Sequence, residues 1–194
     1  MMGAHPNLRE DMLEFRRMLE GQAAEWAAER ATDADMTRID QTFLALNEAF
    51  VSDDLDNRSK ADIAFHQAVG EASHNALLGH LTAALLRLMH DNIRLNLGEL
   101  KTLPAAGVLL KNQHAAIHAA IRDRKPQAAR AAAETHIDFV RETLAQSLRS
   151  AAESGISSSV NTANSAMKQI ADVNVKLRGL ASSDPAAAAL MGQR

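Results

Sequence analysis

From Leu8 to Arg149, apolar residues recur at spacings of three and four, the period of an amphipathic helix, and capping residues divide the pattern into segments. Asn7 is a suitable N-cap for a first helix carrying Leu8, Met12, Phe15, Leu19, Ala23 and Trp26 and ending near Ala31. Glu14, Arg16, Arg17, Glu20, Glu25 and Glu29 fill its other faces; most are expected in solvent, Arg16 excepted. Thr32 and Asp33 cap a second helix with Met36, Ile39, Phe43, Leu46 and Phe50, which closes an antiparallel hairpin. The polar run Ser52 to Asn57 puts carboxylates at the start of a third helix, where the helix dipole favours them. A short turn at Ser73, His74 and Asn75 precedes a long helix that begins with Leu77, Leu78, Leu81, Leu85, Leu88 and Met89 and runs to about Leu100. After a break at Leu103, Pro104 and Gly107, Leu109, Leu110, Ile117 and Ile121 mark the next core face. Pro126 suits the first turn of a last helix with Ala129, Ala133, His136, Val140, Leu144 and Leu148.

Beyond about Ser150 the large apolar residues thin out, and residues 151–194 are rich in Ser and Ala. This stretch is expected to be a tail, disordered or loosely helical around Met167, Ile170, Val173 and Leu177. Residues 8–149 are then one all-α domain. Composition agrees: 46% of the 194 residues are apolar, Ala and Leu abound, and Tyr is absent. A formal net charge of -3 supplies no basic field for nucleic acid, so this chain by itself is expected to bind DNA poorly. The absence of cysteine removes disulfides, thiolate ligands and Cys nucleophiles, and suits a reducing cytoplasm. No signal-peptide core and no apolar run of about 18 residues is present, so a soluble cytoplasmic protein without membrane contact is expected.

Chemistry concentrates first at Asp62 and His66. At i and i+4 on one helix face, a carboxylate and an imidazole can converge on a cation, or simply hydrogen-bond to each other. His114 and His136 stand beside core-facing positions of two other helices. One carboxylate and three imidazoles suit zinc, nickel, manganese or iron and disfavour copper(I) and iron–sulfur clusters. Eight histidines also guarantee some on inward faces for packing alone. His5, His74, His80, His90 and His118 are expected at the surface or hydrogen-bonded, although His118 shares a face with His114. Glu71-Ala-Ser-His74 matches the E-x-x-H of di-iron bundles, but no second copy exists. H-E-x-x-H, G-x-S-x-G and a phosphate-cradling glycine loop are all missing.

The order and spacing of these pieces resemble the FCD domain, the ligand-binding domain of the FadR subgroup of GntR-family bacterial transcription regulators. The resemblance covers residues 8–149. It rests on Glu14 to Glu20 with Ala27 to Thr32, on Asp62 to His66 running into Glu71 to Asn75, on Gln113-His114 with Ile117 and Ile121, and on Ala128-Ala129 leading to His136. It implies an antiparallel bundle of six or seven helices around a divalent metal, zinc first and nickel or manganese next, held by Asp62, His66, His114 and His136. It also implies an effector pocket in which Arg16 meets a carboxylate, with Asn75 and Arg94 as further lining residues. The segments Glu71 to Asn75 and Asp91 to Asn96 look most like regulators of the lactate, glycolate and pyruvate class. A homodimer without catalytic activity is implied as well. The family places a winged helix-turn-helix ahead of this domain, whereas only Met1 to Pro6 precede the first helix here, and residues 150–194 match nothing in the family. Two other functions compete: a metal-dependent enzyme acting on a small acid, which lacks an obvious general base, and a structural helical module whose histidines only hydrogen-bond in the core.

Overall fold

A computed structural model of the chain describes residues 6–52, 54–90, 106–146 and 149, with side chains from Glu10 onward. The secondary structure of these residues is entirely helical: α1 Pro6–Arg30, α2 Asp33–Ala49, α3 Leu55–Ala72, α4 Ala76–Leu88, α5 Ala106–Arg122 and α6 over 126–146. The second part of the expected long helix, with Arg94, and the tail from Ser150 lie outside the described residues. Among those described, no helix is long and apolar enough to cross a membrane.

Local chemistry sets the boundaries. Thr32 and Asp35 form a reciprocal capping box at the start of α2. Asp54 caps α3 by accepting the amides of Asp56 and Asn57 at 3.0 and 3.1 Å. Asn75 caps α4 through the amide of Leu78 at 3.0 Å. The turn between α3 and α4 is completed by His74 in the left-handed region at φ 51°. α1 starts at Pro6, one residue before the expected cap, because proline is at home in a first turn that needs no amide hydrogen. α4 closes at Met89, which interrupts the continuous helix expected there.

Side-chain partners fix the packing directions. Asp35 meets His74, Arg38 meets Glu71, and Arg58 reaches the Ala49 and Phe50 carbonyls, so α2 and α3 run antiparallel. Arg141 with Glu10, Arg17 with Asp138 and Arg130 with Glu25 give the same relation for α1 and α6. α3 and α4 approach closely where both lack a side chain: a Cβ on Gly79 would stand 3.5 Å from the Gly70 carbonyl oxygen.

Two apolar clusters make the core. One joins Leu19, Ala23, Ala24, Ala27 and Ala28 of α1 with Ile39, Phe65, Val69, Ile117, Ile121 and Ala133. The other joins Met12 and Leu13 with Leu86, Leu110, Ile137, Val140 and Leu144. Several expected core residues lie elsewhere. Phe15 is 42% exposed and Leu77 70%, and Leu81, Leu88 and Leu109 are exposed too. In α1 the inward face is rotated toward Leu13, Arg16, Glu20, Ala24 and Ala27, and Trp26 is only half-buried. A run of apolar residues broader than one stripe leaves the choice of face to the neighbouring helices.

Candidate metal and effector centre

Between the two apolar clusters the bundle holds a polar layer. Every helix that contributes does so at the point where its contacts pass from one cluster to the other. On α1, Arg16 and Glu20 lie between Leu13 and Ala23; on α5, His114 lies between Leu110 and Ile117; on α6, His136 lies between Ala133 and Ile137. α3 adds Asp62 and His66, one turn apart on its inward face. All six side chains are buried; Arg16 is only 2% exposed and Glu20 4%.

Candidate ligand atoms of His66, His114 and His136 all lie within 4.8 Å of one another. Nε2 of His66 is 3.2 Å from Nε2 of His114, and that atom is also 3.2 Å from Oδ1 of Asp62. Asp62 therefore joins the group through His114. The His66 and His136 rings stack with centroids 5.0 Å apart, and Phe65 presents an apolar wall to the edge of His114. Nδ1 of His136 is 3.3 Å from Oε1 of Gln113. Nδ1 of His66 is 2.8 Å from Oε2 of Glu20, whose other oxygen accepts the Nε–H of Arg16. Within the layer, Nη2 of Arg16, Oε2 of Glu20 and Nδ1 of His114 are buried without a well-formed hydrogen bond among the described residues.

Charge follows from this geometry. Burial alone pushes the Glu20 carboxyl up, but Arg16 and His66 outweigh it and bring it down to about 2. Burial also opposes ionisation of Asp62, and the hydrogen bond from His114 with the charges of His66, His114 and Arg16 reverses that, holding it well below the usual range. Burial pushes His114 down despite Asp62, and it pushes His136 well down, helped by His114 and His66. For Arg16, Glu20 and Asp62 overcome burial and raise the guanidinium further. The carboxylates are thus ionised and the His114 and His136 imidazoles neutral, which is the state in which they bind a cation.

The donor set fits a divalent metal. Three buried imidazoles converge with a carboxylate beside them, and two of the imidazoles have the opposite ring nitrogen next to an acceptor, the usual arrangement behind metal-bound histidine. The other expected lining residues are placed differently. Asn75 spends its side-chain oxygen on the α4 cap and borders an open cleft of about 490 Å³ at the surface, beside Gln67, Glu71, His74, His80 and Arg87. Arg94 lies outside the described residues. Of the remaining histidines, His74 pairs with Asp35, the His80 ring meets the Ala76 carbonyl of its own helix, and His90 stands 3.9 Å from Asp56. His118 is buried against Phe43 and paired with Asp40 at 2.6 Å.

Sequence reasoning missed Glu20 and Gln113 as members of the layer. Glu20, grouped with the residues mostly expected in solvent, is buried with Arg16. The available signal was its position one turn after Arg16 on a line with Leu13, Ala24 and Ala27. Gln113 gave none beyond its place next to His114.

Residues 11–139 match the FCD domain model, and the chain belongs to that family. It is 32% identical to the Glc operon transcriptional activator of Escherichia coli K12 over 147 residues, which cover 74% of this chain and 58% of that protein. It is 33% identical to the putative L-lactate dehydrogenase operon regulatory protein of the same organism over 144 residues, 74% of this chain and 54% of that one. The chain therefore spans little more than half the length of these curated relatives. Among solved structures, a Streptococcus agalactiae GntR superposes with a TM-score of 0.62 at 25% identity, covering 73% of this chain and 61% of its own.

Proposed function

We propose that this chain is the effector-sensing and dimerisation part of a GntR-type, FadR-subgroup transcription regulator of the cytoplasm, with no catalytic activity of its own. In this reading Asp62, His66, His114 and His136 hold a divalent metal, zinc first and nickel or manganese next. The metal would supply Lewis-acid attraction for the oxygens of a small monocarboxylate of the lactate, glycolate or pyruvate class. Arg16 orients that acid; Asn75 and Arg94 were further lining candidates, of which Asn75 faces the surface cleft. Residues 8–149 are the sensing domain and residues 150–194 an appended tail.

The convergence of three buried imidazole nitrogens beside a charged, incompletely paired arginine carries the proposal. A buried donor without an acceptor is costly, and a carboxylate brings both the charge and the acceptor that Nη2 of Arg16 lacks. The effector class is supported by the relative named as a putative regulator of an L-lactate dehydrogenase operon. Output requires that the acid bind one packing of the helices better than another.

A ligand that binds only the native state raises its melting midpoint, by roughly 2.7 kcal/mol of added stability at a hundredfold excess over Kd. Chelator-stripped protein is therefore melted with zinc, nickel or manganese, each with and without lactate, glycolate and pyruvate. Metal is expected to raise the midpoint, and one acid to raise it further only when metal is present. No response to any metal rules out the metal-centred reading.

A further inference from the structure

Glu20 is a buried charge that the four metal-binding side chains leave unexplained. It sits on α1, opposite the α3 corner of the imidazole cluster, and its two oxygens face different groups. One accepts the Nε–H of Arg16; the other, which no well-aligned hydrogen bond satisfies, lies 2.8 Å from Nδ1 of His66. An imidazole that gives its Nδ1 proton to a carboxylate keeps an unprotonated Nε2, so the partner of one nitrogen decides what the other can do. In His66 that second nitrogen is the one 3.2 Å from Nε2 of His114. His136 has a neutral counterpart in Gln113, and Nδ1 of His114 has no partner among the described residues. Of the three rings, only His66 has a carboxylate at its Nδ1; the Asp62 carboxylate meets His114 at Nε2 instead.

We propose that Glu20 is the positioning residue of this centre: it holds His66 as the Nδ1–H tautomer with Nε2 turned toward His114 and His136, and it links that ring to Arg16. The inference rests on the metal-centred reading of the cluster and extends it. A carboxylate drawn to Arg16 shares the guanidinium with Glu20, so the acid and the metal act on one another through a single side chain.

Two measurements test this in the full chain. Zinc affinity is obtained by competition with a chromogenic chelator, and the His66 tautomer by long-range proton–nitrogen correlation NMR of metal-free protein. Glu20→Gln keeps the size of the side chain but can turn an amide donor to the ring. The double variant Arg16→Met with Glu20→Gln removes both charges together, leaving neither buried alone. Both are expected to weaken zinc binding by about 10- to 100-fold and to turn a single Nδ1–H tautomer into a mixture. A double variant that binds zinc as tightly as the wild type overturns the proposal, because Glu20 would then serve only to neutralise Arg16. So does a wild-type His66 protonated on Nε2. Should the wild type bind no zinc, the metal-centred reading fails, and the tautomer of His66 in wild type against the variants alone decides the role of Glu20.

Discussion

Arg16 and Arg17 are neighbours in sequence and each meets carboxylates, yet they belong to regions of opposite character. Arg16 points into the layer between the two apolar clusters, where it and Glu20 are almost wholly withdrawn from water. Arg17 joins the seam between α1 and α6, with both oxygens of Asp138 at 3.0 Å and Glu134 at 2.9 Å, in company with Arg130 and Arg141. Its side chain is 37% exposed. The seam has the better hydrogen-bond geometry and more pairs. It is nonetheless the weaker element, because water and salt compete for every charge in it. In the buried layer nothing competes, so removing one partner strands the other in a medium that cannot solvate it. A polar layer of this kind adds little net stability over apolar packing.

The contrast can be broken most forcefully at Arg16. Arg16→Met leaves Glu20 buried beside His66 with its main counter-charge gone, and is expected to destabilise the metal-free protein by about 3–5 kcal/mol, read from urea unfolding. A loss close to zero would mean that water already reaches this layer. A smaller effect belongs to the exposed capping box. The Asp35 carboxyl is pushed up by burial but brought down to about 2 by hydrogen bonds from Thr32 and His74, against an ordinary 3.8. A depressed value means that the unfolded chain binds the proton more readily, so this contribution is complete above the ordinary value and lost as pH falls through the folded one. Asp35→Asn is thus expected to cost about 1 kcal/mol near neutrality, the scale of a capping interaction. Its gap from wild type in urea midpoint should close as the pH is lowered from about 4 toward 2. A gap independent of pH would assign the effect to something other than the charge. The smallest change is expected at Arg17→Met, whose unfolding midpoint should match wild type at high salt and differ only slightly at low salt. A large, salt-independent loss there would show that the seam, and not the layer, holds α6 in place.

Much of the frame was legible along the chain. Thr32, Asp54 and the turn at Ser73 to Asn75 act through neighbours within four residues, so their roles can be read locally. The register of α6 could be read because its apolar residues form one narrow stripe, and Ala129, Ala133, His136, Val140 and Leu144 are all buried. Asp62 and His66 announced themselves by their spacing. In α1 and α4 the apolar residues spread over more than one face, and Phe15, Leu77, Leu81 and Leu88 proved to be on the outer one.

The sequence by itself determined the capped starts at Thr32, Asp54 and Asn75 and which residues share a face, since both follow from local hydrogen bonding and the helical period. Only the tertiary structure decided that Glu20 is inside. A carboxylate one turn after an arginine reads as a surface pair wherever it stands in a sequence. What buries it is an imidazole arriving from α3, with the rings of α5 and α6 beyond it, and no local pattern in α1 encodes their approach.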